Sequence, residues 1–349
     1  MAKTKPAPVE PFVLAPAAAA RAIGWLALGL VAMCAVLLAI PNGTYYRWQQ
    51  ADGTILFRAR WIYERIHFDP TPIDVAVIGS SRMEASVRAG ELGAALTAKL
   101  GHPVHLVNFG LPQEGRDLHW TIARELLRNR PDVKLVLLSV SPEAVLAHPG
   151  FRFLGDDASI AHAPALYNPT WADNLLTLPY RHLAYGLQAL WPSAFGLSRT
   201  FDPAIYRARS FDPTQSFTTG DGVFVDRNRV LNPAVTPPDP PGREDAKLRY
   251  LPLDQRYATE RYFARRIAAL GREHGATIAF LRVPTFGGHD RFVDPGFYHA
   301  IGPVLEAEQF GTDPQDYMDG AHLNRHGTAR LEPWLADALA PILSHAEHR

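Results

Sequence analysis

From residue 72 onward, short apolar runs alternate with segments of helical periodicity, and this alternation constrains the fold more than any other feature. Four apolar runs are predicted to be strands, at residues 73–78, 103–109, 133–140 and 276–283. Helices are predicted at residues 89–100, 117–128, 254–274 and 297–308, with a last one after Asn324. Strands that alternate with helices form parallel sheets covered on both faces. The sequence therefore predicts a three-layer α/β domain with strand order 2-1-3-4-5, although it locates only the first four of these strands.

Two polar turns fall at the ends of this pattern. The first strand runs into Gly79-Ser80-Ser81-Arg82, and Asp319-Gly320-Ala321-His322 precedes the last helix, for which Asn324 is a suitable N-cap. A carboxylate beside a histidine fixes one imidazole tautomer, and the imidazole can then accept a proton from a serine hydroxyl. Either motif alone is more often an ordinary turn. Their joint placement predicts a nucleophile, a base and an orienting carboxylate, with the choice between the two serines open.

The strand–Gly-Ser-Ser turn and the late Asp-x-x-His resemble the SGNH (GDSL-type) hydrolases, a family of esterases, lipases and carbohydrate O-acetyl transferases or esterases. The resemblance covers residues 72–345, with a poorly matching middle. It implies the three-layer, flavodoxin-like fold of that family. It also implies Ser81 as the nucleophile, His322 as the base and Asp319 as the orienting residue.

Two further family segments supply oxyanion donors, and here the match is partial. Asn108-Phe109-Gly110 matches an Asn-x-Gly turn, but Gln113 stands where the family has the donor glycine. The third segment supplies an Asn side chain, and Ser141 lies near that place. The resemblance thus implies a set of oxyanion or substrate-binding residues, namely Arg82, Asn108, Gly110, Gln113 and Ser141.

The Gly-Ser-Ser and Asp-Gly-x-His-Leu-Asn variants are similar to the membrane-anchored branch of the family. That branch includes the D-alanyl transfer protein of lipoteichoic acid and the alginate or cellulose acetylation proteins. The resemblance implies a serine esterase or O-acyltransferase that handles an acetyl or other acyl ester of a cell-envelope polysaccharide or glycolipid through an acyl-serine. The implied partners are an acyl donor, a saccharide or lipid acceptor, the inner membrane and a membrane-bound acyltransferase.

An alternative stays open because Gln113 and Ser141 depart from the family pattern. A catalytically inactive domain of this type would bind or scaffold an envelope-assembly complex. No cofactor and no metal are expected, since the zinc-like spacing of His322 and His326 lacks a third ligand nearby. With 35 basic and 35 acidic residues, the charge balance gives no indication of nucleic-acid binding.

The N-terminal region contains nineteen residues without a charge, Ala22–Ile40. A helix of that length spans roughly 28 Å, close to the thickness of a bilayer core. Basic residues precede this span and aromatic residues follow it. The sequence therefore predicts a retained transmembrane helix, with residues 1–21 in the cytoplasm and the rest outside the inner membrane. A cleaved signal peptide is the alternative.

Three other segments are less strongly patterned. Residues 1–20 are rich in proline and alanine and are predicted to be a disordered tail. Residues 41–71 form a juxtamembrane connector, either a membrane-surface helix or the first element that packs on the domain. Residues 148–250 form a proline-rich insertion with helices at 172–176 and 185–190, either a functional lid or partner surface or a cap over apolar surface.

Overall fold

The structure, a computed structural model, describes most of the chain. It covers residues 15–41, 43–140, 147–166, 168, 170–209, 216–219, 222–232, 250–287 and 294–347. Ser141 and most of the predicted disordered tail lie outside these described residues.

The elements follow one another in the order expected for an α/β domain. The helices are α1 Pro16–Leu38, α2 Thr44–Gln49, α3 Ala59–His67, α4 Ser81–Ser86, α5 Ala89–Leu100, α6 Arg116–Asn129, α7 Phe151–Leu154, α8 Asp157–Ala161, α9 Trp171–Leu190, α10 Pro203–Arg209, α11 Leu253–Arg256, α12 Ala258–Glu273, α13 Pro295–His299 and α14 Arg325–Glu347. The strands are β1 Val75–Ile78, β2 Leu106–Asn108, β3 Leu135–Ser139, β4 Ser216–Thr218, β5 Phe224–Asp226, β6 Thr277–Arg282 and β7 Val304–Glu306. Short 3-10 turns occupy Pro192–Phe195, Glu308–Phe310 and Pro314–Asp316.

A five-stranded parallel sheet with the order β2-β1-β3-β6-β7 forms the centre of the domain. When only the strands of this sheet are numbered, β6 is the fourth and β7 the fifth. The predicted order 2-1-3-4-5 is therefore confirmed. Val75 lies opposite Leu106 on one side and Leu135 on the other, and Leu135 lies opposite Thr277. β4 and β5 form a separate antiparallel pair.

Both faces of the central strands are buried, which explains why β1 is entirely apolar and β3 is apolar up to its final serine. Ala76 and Ile78 of β1 belong to the cluster that α3, α6 and α12 cover. Val75 and Val77 belong to the opposite cluster, which α5 and α14 cover. The predicted three layers are therefore present.

One predicted helix is wrong. Residues 297–308 were expected to be helical, but α13 ends at His299 and β7 follows as the fifth strand of the sheet. Gly302 and Pro303 separate the two, as such a pair commonly does. A side chain at Gly302 would collide with the carbonyl oxygen of Ile278, so the glycine lets the chain reach β6. Elsewhere, α9 runs as one helix through Pro179 where two short helices were predicted.

The connector packs into the domain, which decides between its two predicted structures. Trp48 and Ile62 are completely buried, and both belong to the cluster under the sheet. The ring of Tyr63 stacks on Tyr45 at 5.4 Å and on His67 at 4.1 Å between centroids. Trp48 and Tyr63 are thus core residues of the domain, Tyr45 and Trp61 pack against that core, and Phe68 is exposed.

The described parts of the insertion pack against two different regions of the domain. Its first helices cover the helical layer, where Phe151 packs edge-on against Phe263 and Trp120 donates to the hydroxyl of Ser159. Its later part runs beside the turn that carries the predicted base. The Leu231 N–H donates to the carbonyl of Tyr317 at 2.7 Å.

α1 is long and apolar enough to cross a membrane, with a mean hydropathy of 2.1, and its most apolar stretch is not buried against the described residues. α9 packs against its C-terminal end. His182 donates a hydrogen bond from Nδ1 to the Ile40 carbonyl at 2.8 Å, and the Ile40 side chain lies on Gly186. The outward side of α9 is an apolar stripe of exposed residues three or four apart, Leu176, Tyr180, Leu183, Leu187 and Leu190.

Candidate active site

Ser81 is placed at the carboxyl edge of the sheet by the turn that follows β1. Gly79 fits there because a Cβ atom would lie 2.5 Å from Met83 Cγ and 2.7 Å from Ser139 Cβ. The chain can therefore pass between α4 and β3 only without a side chain. Ser81 is the first residue of α4, and the first N–H groups of a helix have no acceptor within it. Its backbone N–H and its hydroxyl consequently lie at the same edge.

His322 and Asp319 meet Ser81 across this edge. Ser81 Oγ lies 2.8 Å from His322 Nε2, and His322 Nδ1 lies 2.9 Å from both carboxylate oxygens of Asp319. A carboxylate only accepts hydrogen bonds, so Nδ1 carries the proton and Nε2 accepts from the serine hydroxyl. The three predicted residues thus form one continuous hydrogen-bonded chain.

Asp319 is held ionised. Partial burial opposes its ionisation, but hydrogen bonds from His322 Nδ1 and from the backbone N–H groups of Ala321 and His322 outweigh it. Together with the charge of His322, they lower the pKa of the Asp319 carboxyl to about 2. The orienting group is therefore an anion throughout the range in which enzymes are usually assayed.

Asn324 fixes the Asp319–His322 turn to the helix behind it. Its Oδ1 accepts from the Gly327 N–H at 2.9 Å, which confirms it as the N-cap of α14. Its Nδ2 donates to the carbonyls of Gln315 at 2.7 Å and Tyr317 at 3.2 Å. The turn is closed in addition by a hydrogen bond from the Met318 N–H to the His322 carbonyl.

The two serines of the turn occupy different environments. Ser80 is buried, and its hydroxyl has no hydrogen-bond partner among the described residues. It lines a small crevice together with Arg82, Glu114 and Ser139. Burial opposes the ionisation of Glu114, but His119, Arg116 and Arg82 together lower the pKa of its carboxyl. Of the two serines, Ser81 is the one in contact with His322.

Asn108 and Gly110 hold α4 against the end of β2. The Asn108 side chain donates to the carbonyls of Val87 at 2.8 Å and Met83 at 3.1 Å, and it accepts from the Gly110 N–H at 2.8 Å. A Cβ atom on Gly110 would lie 2.7 Å from the Cα atom of Glu84. In this arrangement the donors of both residues are used within the fold, so their expected role as oxyanion donors receives no support.

Gln113 occupies the position where the resemblance expects a glycine. Its φ angle is 65°, in the left-handed region that glycine adopts without cost and other residues adopt rarely. The backbone therefore has the conformation that the missing glycine would favour. Such strained positions cluster at functional sites. Ser141, the other atypical residue, lies outside the described residues.

Arg58 and Glu84, which the sequence did not indicate, lie behind the candidate site, between the end of β2 and α4. Arg58, from the connector, is 2% exposed and donates to the carbonyls of Gly110 at 2.8 Å and Asn108 at 2.7 Å. It also lies 3.9 Å from Glu84, a buried carboxyl of α4. Burial raises the pKa of the Glu84 carboxyl, against the charges of Arg58, Arg227 and His322. A charged residue within an apolar segment was the only sequence signal for Arg58.

A second buried carboxyl clamps the loop that contains Gln113. Asp117 is completely buried and accepts hydrogen bonds from the N–H groups of Leu118 at 2.8 Å and His148 at 3.0 Å. His148 in turn donates from Nε2 to the Pro112 carbonyl at 2.9 Å. Burial raises the pKa of Asp117 to about 7, despite these hydrogen bonds.

Between pH 5 and pH 8 the contribution of Asp117 to the free energy of unfolding should fall, and Asp117→Asn should remove that fall. The folded-state pKa of Asp117 exceeds its ordinary value, so the folded state holds the proton more tightly. The resulting stabilisation is complete below pH 4 and is lost as the pH rises through about 7. The change in the free energy of unfolding between pH 5 and pH 8, measured with urea, should differ by a few kcal/mol between the wild type and Asp117→Asn. An equal change in Asp117→Asn, with exposed Asp337→Asn as the matched control, would contradict this assignment.

Comparison with models of known protein families finds no match for this sequence, and comparison with curated proteins finds no relative.

Proposed function

We propose that this chain is a membrane-anchored serine esterase or O-acyltransferase of the SGNH type. The observation that carries the proposal is the hydrogen-bonded chain from Ser81 Oγ through His322 to Asp319 at the carboxyl edge of a parallel sheet. Ligands in open α/β sheets bind at that edge. Its substrate class would be an acyl ester of a cell-envelope polysaccharide or glycolipid, which rests on the resemblance of the two motifs.

In the proposed reaction, Ser81 Oγ attacks the ester carbonyl carbon while its proton passes to His322 Nε2. Asp319 keeps the imidazole oriented and stabilises the imidazolium without taking the proton. In this proposal the backbone N–H of Ser81 donates to the developing oxyanion, and one such donor is typically worth about 3 kcal/mol in the barrier.

The leaving alcohol then takes the proton from His322, and the acyl group remains on Ser81. A water molecule or a saccharide hydroxyl next gives its proton to His322 and attacks the acyl-serine, which restores the Ser81 hydroxyl. Water as the acceptor makes the protein an esterase, whereas a saccharide hydroxyl makes it a transferase. The geometry around Ser81 is compatible with both.

The proposed location is the inner membrane, with the α/β domain on its outer side. The length and hydropathy of α1 support it, and so does the apolar stripe of α9, defined above, which lies beside the end of α1. Tyr180 and the exposed Trp191 at the end of α9 are the residue types that favour the membrane interface. One medium, the bilayer, would cover both apolar surfaces.

The alternative is a non-catalytic domain that binds or scaffolds an envelope-assembly complex. One observation favours it, namely that Asn108 and the Gly110 N–H are engaged within the fold rather than directed at an oxyanion. The hydrogen bonds that join Ser81, His322 and Asp319 favour catalysis, because binding alone does not require a serine hydroxyl bonded to an oriented imidazole.

Reaction with a fluorophosphonate probe tests the proposal, since such probes modify activated serines. The wild type and Ser80→Ala should be labelled on Ser81, whereas Ser81→Ala should remain unlabelled because His322 then has no hydroxyl to activate. Absence of labelling in the wild type, with an unrelated serine hydrolase as the positive control, would favour the scaffold alternative.

A further inference from the structure

A cavity of about 260 Å³ lies apart from the candidate active site, between the connector and the insertion. α2, the segment that follows it, α7 and α9 enclose it. Its walls are mostly apolar, with Ile55, Leu56, Phe153, Leu154 and Tyr185. Four polar side chains also line it, those of Arg47, Gln50, Thr54 and Arg152. It shares no lining residue with the crevice beside Ser80.

Arg47 is a buried cation with no carboxylate partner in the part of the chain that the structure describes. It is 6% exposed, its Nη1 donates a long hydrogen bond to the Gly155 carbonyl at 3.5 Å, and its Nε has no hydrogen-bond partner among the described residues. Burial, and then repulsion from Arg181, lower the pKa of its guanidinium, and the charges of Asp156 and Asp157 only partly oppose them. A buried and uncompensated charge costs several kcal/mol.

The carboxylates nearest to Arg47 are already paired with other cations. Asp156 forms an ion pair with Arg124, and Asp157 forms ion pairs with Arg181 and His182. Neither can therefore pair fully with Arg47 without giving up a cation that it already holds. An anion inside the cavity would supply the missing charge.

The cavity offers further donors that would suit an anion with several oxygens. Gln50 Nε2 and Arg152 Nε are buried and, like Arg47 Nε, have no hydrogen-bond partner among the described residues. Arg152 pairs with Asp173 through its Nη1 atom only, at 2.8 Å. Arginine is the residue most used to bind phosphate oxygens. Three donors from three side chains match a phosphate group better than a single halide.

The position of the cavity indicates where such a phosphate would come from. Arg47 belongs to α2, the element that directly follows the proposed membrane span. Tyr185 belongs to α9, which packs on Ile40 at the end of that span and carries the apolar stripe. If α1 spans the bilayer, the cavity lies at the level of the lipid headgroups.

We propose that this cavity binds a phosphate group, supplied by the headgroup of an anionic phospholipid, with Arg47 as its main counter-charge. The lipid source rests on the proposed membrane location. Phosphate binding itself is independent of the ester chemistry at Ser81, so its test can fail without affecting the proposed function.

The test follows thermal unfolding of the detergent-solubilised full chain with three probes. These are inorganic phosphate, dihexanoyl phosphatidylglycerol and uncharged dihexanoylglycerol. A ligand that binds only the folded state raises the unfolding midpoint in proportion to its occupancy. We expect the phosphatidylglycerol to raise the midpoint by a few degrees at concentrations below those that phosphate requires, and the uncharged lipid to have no effect.

Arg47→Met should abolish the shift, and it should leave the unliganded protein at least as stable because it removes an unpaired buried charge. Gln50→Leu should weaken binding about tenfold, the usual effect of losing one hydrogen bond to a charged group. Arg128→Met, an exposed arginine of α6, is the charge-matched control and should bind normally.

If phosphate and phosphatidylglycerol raise the unfolding midpoint at equal concentrations, the proposal that the phosphate comes from a lipid headgroup is wrong. The cavity would then be a site for free phosphate. No shift with either anion, or an undiminished shift in both Arg47→Met and Gln50→Leu, would overturn the proposal. If Arg47→Met does not fold, the expectation that it is at least as stable as the wild type is wrong. The binding of the anion is then tested by the midpoint shift in Gln50→Leu alone.

Discussion

Replacing Ser81 by alanine is expected to lower the rate of cleavage of an activated acetyl ester by roughly a thousandfold or more. His322→Ala should have a similar effect, because the serine and the imidazole act as one unit through their 2.8 Å hydrogen bond. The double variant should therefore lose little more than either single variant. Asp319→Asn should cost as much or less, since Asp319 orients His322 and does not take the proton.

Ser80→Ala is the matched control for this series, because it removes a neighbouring hydroxyl that has no contact with His322. It should change the rate only mildly. Circular dichroism should show that all of these variants are folded, since Ser81 and His322 are only partly buried. Full activity of Ser81→Ala, both with the activated ester and in complementation of the native host, would end the enzyme proposal.

Arg58→Met is expected to lower the free energy of unfolding by about 3–5 kcal/mol, the usual cost of removing one member of a buried ion pair. The substitution leaves the carbonyls of Gly110 and Asn108 without their donor and leaves Glu84 buried without its nearest cation. Urea denaturation of the full chain measures this change.

Exposed Arg272→Met is the control for Arg58→Met, and it should change the free energy of unfolding by less than about 0.5 kcal/mol. If Arg58→Met folds, its activity should fall as well, because Arg58 holds the loop that faces α4. A loss of stability below about 1 kcal/mol would contradict the supporting role of Arg58.

The central sheet could be predicted because its strands are buried on both faces. Residues 135–139 are apolar up to a final serine, and such a run between two helical segments is typical of an inner strand of a parallel sheet. The last strand was missed because it is a three-residue edge strand that is only half-buried, so Val304–Glu306 carries neither alternation nor an apolar run. Its pairing with β6 depends on Gly302, whose role is visible only in three dimensions.

Some residues of the candidate site could be predicted from the sequence and others could not. Ser81, Asp319 and His322 lie in short local motifs at the ends of elements, so the strand order alone brings them to one edge. Arg58 could not be predicted because its partners are backbone carbonyls, which have no sequence signature. For the same reason the sequence could not show that Asn108 caps α4 rather than facing an oxyanion.

The cavity around Arg47 was also beyond sequence reasoning. In the sequence, Arg47 is only one basic residue among the aromatic residues that follow the apolar span. Its significance comes from the long-range ion pairs that occupy Asp156 and Asp157, and from packing that buries it.

Trapping of the acyl-enzyme tests directly whether Ser81 is the nucleophile that carries the acyl group. The full chain would be mixed with an activated acetyl ester, quenched with acid at short times, digested and analysed by mass spectrometry. We expect one acetyl group on the peptide that contains Ser81, located on Ser81 itself, and no such adduct in His322→Ala. An acetyl group on another residue, or an unmodified Ser81 while ester is being cleaved, would contradict it.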